Sequence, residues 1–309
     1  MKARIRAVRW EAPAVLSFML EPLAGEHFPP FAAGAHINVT LQSGLIRSYS
    51  LLNDPVQADR YEIGVQLDEN TRGGSKHVHE SWRPGQVIEI SAPNNNFPLD
   101  ESAPHSVLIA GGIGLTPMLS MLARLDRLGK RWELHYACRS RDRAAFLDRV
   151  GHLPYVRFYV DDEPAIGSLD LKAVLAAAPP GTHFYCCGPQ GMLDAYRSMV
   201  KPMGERGHYE YFSADIEAAD EGGYTLELAR SKKSIAVAAG ETMLDALLNA
   251  GIDVPFACSE GICGTCRTKV LEGVPDHRDQ FLSDAERAGN GCVMVCCSGS
   301  QTSKLTLDI

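Results

Sequence analysis

The chain has 309 residues, a net charge of −8 and a pI of about 5.7, with 45% hydrophobic and 22% charged residues. This length predicts two or three domains, because single cores rarely grow beyond about 250–300 residues. The composition excludes a disordered or collagen-like chain, and the acidic balance argues against nucleic acid as the main partner. No run reaches the roughly 18 apolar residues of a membrane helix. Arg9 and Glu11 interrupt any signal-type apolar stretch, so we expect a cytoplasmic protein.

The first hundred residues contain short strand-like segments separated by Pro and Gly turns. Segments of this kind predict an antiparallel barrel or sandwich. A helix is expected after Gly73-Gly74-Ser75, and the turn-rich residues 92–100 close the region. The predicted strands lie at 3–11, 16–22, 36–41, 46–52, 61–67 and 86–91.

From about residue 103 the pattern changes to alternating strands and helices, which predicts a parallel sheet with helices on both faces. The strands are expected at 105–111, 131–138, 156–162 and 182–188, and the helices at 115–129, 144–153, 169–178 and 190–200. Residues 216–223 read as a linker, and a small α+β unit of about 85 residues follows.

The nine cysteines are the strongest signal in the chain, because six of them fall between Cys258 and Cys297. Cys258, Cys263 and Cys266 have the C-x4-C-x2-C spacing of plant-type [2Fe–2S] proteins, which also need a fourth, distant cysteine. Gly261 and Gly264 allow the loop to curl around a cluster. A structural zinc site is the alternative, but zinc ligands usually come as two close pairs.

The fourth ligand has three candidates. Cys296 ends the apolar run 292–296 and lies thirty residues after Cys266, so it is preferred. Cys292 and Cys297 lie close to it in sequence and compete with it as the fourth ligand, although each is also typical of a small buried side chain. Cys138 and Cys186 are predicted to be core residues of strands.

A glycine-rich turn at 111–118 follows a predicted strand and opens a helix. Glycines let a backbone approach a pyrophosphate, and a helix N-terminus favours an anion. The turn lacks the Rossmann fingerprint, because Arg139-Ser140-Arg141 stands where an acidic residue would follow the second strand. Cys187-Gly188-Pro189 ends another strand at the edge where such sheets bind ligands. Cys187 is therefore either a core cysteine or a residue that faces a nicotinamide ring.

Two motifs in the first segment suggest a flavin phosphate site. Arg47-Ser48-Tyr49-Ser50-Leu51 combines a cation with an aromatic ring on the same side of a strand. Arg72-Gly73-Gly74-Ser75-Lys76 precedes the helix at 77–82, with Ser75 as the expected N-cap. Each motif alone is also typical of an ordinary strand or turn.

Taken in order, the motifs RSYSL, RGGSK, GGIGLTPM, CCGP and CSEGICGTC…C resemble those of phthalate dioxygenase reductase and vanillate O-demethylase reductase subunits, over nearly the whole chain. The resemblance implies FMN, NADH or NADPH, and a plant-type [2Fe–2S] cluster, with a Rieske-type oxygenase as partner. It also implies an antiparallel β-barrel flavin domain at 1–101, an α/β parallel-sheet nucleotide domain at 102–220 and a β-grasp ferredoxin domain at 221–309.

The resemblance also implies roles for individual residues. Three would act in catalysis: Ser50, Cys187 and Phe212, the last by covering the flavin. The FMN site would comprise Arg47, Ser48, Tyr49, Ser50, Val65, Gln66, Leu67, Gly74, Ser75 and Lys76. The nucleotide site would comprise Gly112, Gly114, Thr116, Pro117, Arg139, Cys187, Gly188 and Pro189. The iron ligands would be Cys258, Cys263, Cys266 and Cys296.

We therefore expect a monomeric reductase that passes electrons from NAD(P)H through FMN and the cluster to an oxygenase, without membrane or nucleic acid. A free-standing flavin, ferric or other electron-acceptor reductase is the alternative function. A redox-sensing regulator would need a DNA-binding element, and none is evident. An enzyme that itself oxidises an organic substrate would need an iron site of its own, and we find no Rieske ligand pattern. Arg139 and Arg141 leave the choice between NADH and NADPH open.

Overall fold

The computed structural model describes residues 1–41, 44–57, 59–68, 73–212 and 217–309. The chain divides into two compact units, Met1–Phe212 and Ser213–Ile309. Within the described ranges, no helix is both long and apolar enough to cross a membrane.

The first part of the N-terminal unit is an antiparallel sheet in the order β4-β3-β6-β1-β2-β5. A bridge between Leu51 and Ile63 joins the two ends of this order, so the sheet closes on itself as the sequence predicted. Its interior is filled by alternating apolar side chains such as Ile5, Phe18 and Ile37. The elements are β1 Lys2–Ala12, β2 Val15–Pro22, β3 His36–Thr40, β4 Ile46–Ser50, β5 Tyr61–Gln66, α1 Gly74–Ser81 and β6 Val87–Ile90.

The second part of this unit is a parallel sheet in the order β11-β10-β7-β8-β9. Parallel strands need crossover connections, and the intervening helices supply them. The strands are β7 His105–Gly111, β8 Arg131–Cys138, β9 Val156–Val160, β10 His183–Cys187 and β11 Gly207–Glu210. The α-helices are α2 Leu115–Arg127, α3 Leu147–Val150, α4 Leu171–Ala177 and α5 Gln190–Val200; 3₁₀ turns occupy Gly112–Gly114, Arg141–Arg143 and Lys201–Arg206.

Two local predictions were wrong. The helix expected at 144–153 is only the four residues of α3, because Phe146 before it has a left-handed φ of 59° and the chain turns again at Gly151. Ser75 does not cap α1: the cap is Gly73 with φ 95°, a conformation that glycine adopts without strain, and the helix begins at Gly74. The Ser75 hydroxyl instead accepts a hydrogen bond from the Asp68 N–H at 3.1 Å.

The C-terminal unit is a mixed sheet in the order β13-β12-β18-β14-β16 with two short helices. Strands β12 and β18 are parallel, and the other pairs are antiparallel. Both helices begin with a capping box, at Thr242 and at Ser283. The elements are β12 Tyr224–Leu228, β13 Lys233–Val237, α6 Met243–Asn249, β14 Arg267–Glu272, β15 Pro275–Asp276, α7 Asp284–Gly289, β16 Cys292–Met294, β17 Gly299–Ser300 and β18 Lys304–Leu307.

Candidate functional site

Three cysteines of the loop between α6 and β14 come together with a fourth cysteine that follows β16 in the C-terminal unit. Cys258, Cys263, Cys266 and Cys296 are each buried, and all nine cysteines of the chain are free thiols. The Cys258 thiol is in hydrogen-bonding contact with those of Cys263 and Cys296, and Cys296 also contacts Cys266. The structure therefore brings the four predicted iron ligands together.

The thiols in this group of four cysteines differ in pKa. Hydrogen bonds from the thiols of Cys263 and Cys296 lower the pKa of Cys258 to about 3. The contact with Cys296 likewise lowers the pKa of Cys266, whereas that of Cys296 itself is raised. The Glu260 N–H also donates to the Cys258 sulfur at 3.3 Å. Four neighbouring buried sulfurs, one of them with a backbone N–H donor, are the ligand set that a [2Fe–2S] cluster requires, so the four residues fit such a group.

Close packing fixes the path of the cysteine loop. Gly261 (φ 66°) and Gly264 (φ 73°) both have left-handed backbones. A Cβ on Gly264 would lie 2.3 Å from the Phe281 ring, and one on Gly261 would lie 2.6 Å from the Cys297 sulfur. The Gln280 N–H donates to the Gly261 carbonyl at 3.0 Å. The loop is therefore held from one side by the segment around Phe281 and Cys297.

Across the parts of the chain that the structure describes, no three His, Cys, Asp or Glu side chains are arranged to hold one metal ion. Cys292, one of the competing ligands, lies in β16, where it pairs with Lys269 of β14.

Two glycine turns meet at the carboxyl edge of the parallel sheet, after β7 and after β10. A Cβ on Gly114 would lie 2.1 Å from the Cys187 carbonyl oxygen, and one on Gly111 would lie 2.5 Å from Pro189 Cδ. A Cβ on Gly188 would lie 3.0 Å from the Gly111 Cα. Gly112 has φ 53° and open space where a Cβ would stand. The glycines are therefore needed for backbone-to-backbone packing, and Gly112 leaves room for a ligand.

Thr116 and Pro117 lie in the first turn of α2, directly after this glycine turn, and both are buried. The Thr116 hydroxyl donates to the Ile113 carbonyl at 2.9 Å. A Cβ added to Gly64 of β5 would lie 2.8 Å from the methyl group of Thr116. The observed contacts thus give Thr116 a packing role between the two sheets of the N-terminal unit.

Cys187, which is fully buried, and Glu210, which is partly buried, form a pair that the sequence did not predict. They pair across the parallel strands β10 and β11. Burial raises the pKa of the Glu210 carboxyl to about 8, and its Oε2 atom has no hydrogen-bond partner in the structure. Burial, followed by the nearby Glu210, raises the pKa of Cys187 well above its usual value. The raised pKa values keep both groups protonated and uncharged near neutral pH.

The turn after β8 carries the basic residues that sequence analysis singled out. Arg139 is exposed. The Arg141 guanidinium donates two hydrogen bonds to Glu163, at 2.9 and 3.0 Å. The Ser140 hydroxyl donates to Asp142. The Arg141 guanidinium is thus already paired with the Glu163 carboxylate through two hydrogen bonds.

The predicted flavin motif places Arg47 against the start of α1. A Cβ on Gly74 would lie 2.7 Å from Arg47 Nε, so only glycine at this position lets the guanidinium lie there. The first N–H groups of a helix lack acceptors within the helix. A cation beside a helix N-terminus fits a phosphate group. Lys76 is mostly exposed and lies 3.9 Å from Glu80, and Arg72 lies outside the described residues.

The remaining flavin candidates line β4 and β5. Burial raises the pKa of the half-buried Tyr49 to about 12, against the opposing effect of Arg47. The Ser48 hydroxyl donates to Asn38 Oδ1 at 2.7 Å, and Ser50 is buried. In β5, Val65 is buried and its carbonyl contacts the His79 ring of α1 at 3.0 Å, whereas Gln66 is exposed. Leu67 follows the strand and is partly buried.

Phe212 is the last residue of the N-terminal unit and remains 36% exposed. The aromatic residues before it are anchored: Tyr211 donates to Asp194 at 3.0 Å, and Arg197 lies over the Tyr209 ring. An exposed ring at the end of an anchored stretch is free to cover a bound planar group.

Comparison with known proteins shows which family and which domains this chain resembles. Residues 226–300 match a family model described as a 2Fe-2S iron-sulfur cluster binding domain. The chain is 52% identical to the phenoxybenzoate dioxygenase subunit beta of Ectopseudomonas oleovorans, over 99% of the chain and 96% of that relative. It is 48% identical to tetrachlorobenzoquinone reductase of Sphingobium chlorophenolicum, over 96% and 94%.

A solved structure extends the likeness to the fold. Phthalate dioxygenase reductase, described as a modular structure for electron transfer from pyridine nucleotides to [2Fe–2S], matches with a TM-score of 0.76 and 36% identity, over 100% of the chain and 98% of that protein. The closed antiparallel sheet, the parallel sheet and the C-terminal cysteine-rich unit thus correspond to a flavin, a nucleotide and a ferredoxin domain. The chain belongs to the phthalate dioxygenase reductase family of flavin iron–sulfur oxidoreductases.

Proposed function

We propose that this protein is the reductase component of a Rieske-type oxygenase or demethylase system, and that it supplies electrons from NADH. The observation that carries the proposal is the presence of three groups of residues, each fitted to one electron carrier, in one chain. When bound, FMN would accept a hydride and release its electrons singly, and the [2Fe–2S] cluster would carry them one at a time.

The residues of the chain bind the cofactors, orient them and exclude water from them. Arg47, Gly74, Ser75 and Lys76 hold the FMN phosphate, while Tyr49, Ser50 and the edge 65–67 face its ring. Gly112, Gly114 and Gly188 admit the dinucleotide, and Cys187 with protonated Glu210 offers an uncharged surface to the nicotinamide. Phe212 covers the flavin until the nicotinamide arrives. Cys258, Cys263, Cys266 and Cys296 bind the two irons. The corresponding domains are 1–101, 102–220 and 221–309.

NADH is the proposed donor because Arg141 is held by Glu163. A 2′-phosphate needs a cation near the adenosine ribose, and the bidentate pair between Arg141 and Glu163 withdraws one such cation. Arg139 remains exposed beside it and contributes to nucleotide binding.

The oxygenase partner is supported by the uneven charge of the chain. Residues 213–309 contain 8 Lys and Arg against 15 Asp and Glu, so seven of the eight net negative charges lie in the C-terminal unit. Such a concentration attracts a partner with a basic docking surface and accelerates a weak, transient encounter. The protein is proposed to act in the cytoplasm as a monomer.

A second function has specific support from a relative. The tetrachlorobenzoquinone reductase that is 48% identical is named for reduction of a quinone rather than for an oxygenase. In this alternative, a small electron acceptor takes the place of the partner protein.

One experiment separates the two functions. The FMN- and cluster-loaded protein is supplied with NADH and either a Rieske oxygenase with its substrate or a quinone. Hydroxylated or demethylated product formed in step with NADH consumption supports the oxygenase role. Quinone reduction without any oxygenase turnover supports the alternative. Protein that lacks FMN, or that cannot reduce ferricyanide or cytochrome c with NADH, would contradict both.

A further inference from the structure

A fifth buried thiol stands next to the proposed iron ligands. Cys297 follows Cys296 directly, and both side chains are almost fully buried. The Cys297 thiol is in hydrogen-bonding contact with that of Cys296. Its sulfur also lies 4.0 Å from the Met294 carbonyl oxygen and 3.9 Å from the Ser298 hydroxyl.

Cys297 also supports the loop that carries the other three ligands. Its sulfur occupies the space in which a side chain on Gly261 would begin, since a Cβ there would lie only 2.6 Å away. Gly261 lies between Cys258 and Cys263 and has a left-handed φ of 66°. A single sulfur atom therefore contacts both the cysteine loop and the residue that provides the fourth ligand.

We propose that Cys297 is a positioning residue that tunes the [2Fe–2S] site without binding iron. An iron-bound cysteine is a thiolate and can only accept hydrogen bonds, so the Cys297 S–H, whose acceptor in this structure is the Met294 carbonyl oxygen at 4.0 Å, would donate to the Cys296 sulfur once iron is bound. Hydrogen bonds to ligand sulfurs set the reduction potential, because they stabilise the additional negative charge of the reduced state. Cys297 thereby raises the potential and fixes the loop at Gly261. This inference rests on the proposed ligand set but not on an oxygenase partner.

The test compares Cys297→Ala and Cys297→Ser with Cys292→Ala in the full-length, cofactor-loaded protein. Cys292 is a matched control, because it is a buried cysteine of the same unit and lies in β16. Iron and sulfide content is measured first, and the midpoint potential is then obtained by a redox titration followed by EPR. These readouts require neither NADH nor an oxygenase, so their failure is distinguishable from failure of the proposed function.

All three variants are expected to contain the wild-type amount of iron and sulfide. The potential of Cys297→Ala shifts to more negative values, Cys297→Ser shifts less because a hydroxyl still donates, and Cys292→Ala matches the wild type. Loss of the cluster in Cys297→Ala with its retention in Cys297→Ser also supports the positioning role. A potential in Cys297→Ala equal to that of Cys292→Ala overturns the proposal. Loss of the cluster in both Cys297 variants, with retention in Cys296→Ala, identifies Cys297 as the ligand and overturns it too.

Discussion

Glu210 lies beside Cys187 because the two residues pair across the parallel strands β10 and β11. The carboxyl is thereby buried without a hydrogen-bond partner for Oε2, and its pKa rises to about 8. A carboxyl kept neutral near pH 7 places no negative charge at the proposed nicotinamide site, beside which the flavin would gain the two electrons that the nicotinamide gives up as a hydride.

Replacement of Glu210 by Gln should remove one component of the pH dependence of stability. In the folded protein Glu210 keeps its proton up to about pH 8, whereas in the unfolded chain it loses the proton near its usual pKa of 4.5. The folded state therefore binds more protons in this window, and its stability falls as the pH rises from 4.5 to about 8. Urea unfolding midpoints of wild type and Glu210→Gln, measured across this range, check the prediction.

His208 contributes to the pH dependence of stability with the opposite sign, and its contribution is the same in the wild type and in Glu210→Gln. Burial, followed by the neighbouring His183, lowers its pKa to about 4, so stability is lost as the pH falls from 6.5 toward 4. The difference between Glu210→Gln and wild type removes this common effect. Parallel pH profiles for the two proteins would show that Glu210 is ionised in the folded state.

The sequence predicted the three architectures and the site motifs because each has a local signal. Short strand-like segments between Pro and Gly turns predict the barrel strands, and the spacing of Cys258, Cys263 and Cys266 predicts the cluster loop. Glu210 could not be found in this way, because its neighbour Cys187 is 23 residues away and the pairing depends on β11 lying parallel to β10. The Gly73 cap was missed for a different reason: the serine at 75 is a favoured capping residue, and only the backbone φ shows that the helix starts earlier.

Gly114→Ala should destabilise the N-terminal unit and weaken NADH binding. The added Cβ would lie 2.1 Å from the Cys187 carbonyl oxygen, so one of the two turns must move. Overpacking of this kind typically costs about 1–3 kcal/mol. The free energy of unfolding in urea and the KM for NADH are the measurements.

Gly191→Ala is the matched control for this substitution. Gly191 lies in α5 with no atom near its missing Cβ, so alanine there should leave stability unchanged or raise it by about 0.4–1 kcal/mol. Equal unfolding free energies for the two variants would be inconsistent with tight packing of the turns.

Arg47→Ala should reduce FMN affinity by about tenfold to a hundredfold. One charge-assisted hydrogen bond contributes about 1.5–3 kcal/mol, and each 1.4 kcal/mol is about a factor of ten in Kd. Titration of the flavin-free protein with FMN, followed by flavin fluorescence, measures the change. Arg6→Ala is the control, because Arg6 is an exposed cation on β1 of the same barrel. If both variants bind FMN as the wild type does, the phosphate lies elsewhere.

Glu163→Gln should increase the use of NADPH. Loss of the carboxylate frees the Arg141 guanidinium from its bidentate pair, and one charge-assisted contact to a 2′-phosphate corresponds to a gain of about tenfold in kcat/KM. Steady-state ferricyanide reduction with each nucleotide measures the ratio. Glu205→Gln, which removes an exposed carboxylate in the 3₁₀ turn Lys201–Arg206, serves as the control. An unchanged ratio in Glu163→Gln would mean that Arg141 does not approach the adenosine.

Turnover with an oxygenase should fall as the ionic strength rises, because salt screens the attraction between the acidic C-terminal unit and a basic partner.

Glu260→Lys, in the cysteine loop, should lower oxygenase turnover more than ferricyanide reduction. Glu272→Lys makes the same charge change at an exposed position of β14 and should have the smaller effect on oxygenase turnover. Equal effects of Glu260→Lys on both acceptors would argue against docking at this loop.

The order of electron transfer is the central claim, and rapid anaerobic mixing of NADH with the FMN- and cluster-loaded protein tests it most directly. Absorbance follows the flavin, and EPR of samples frozen at intervals follows the cluster. The account predicts that flavin absorbance is lost first and that the EPR signal of a reduced [2Fe–2S] cluster then grows at the rate of a later absorbance phase. A flavin that is fully reduced by NADH while the cluster stays oxidised would contradict it.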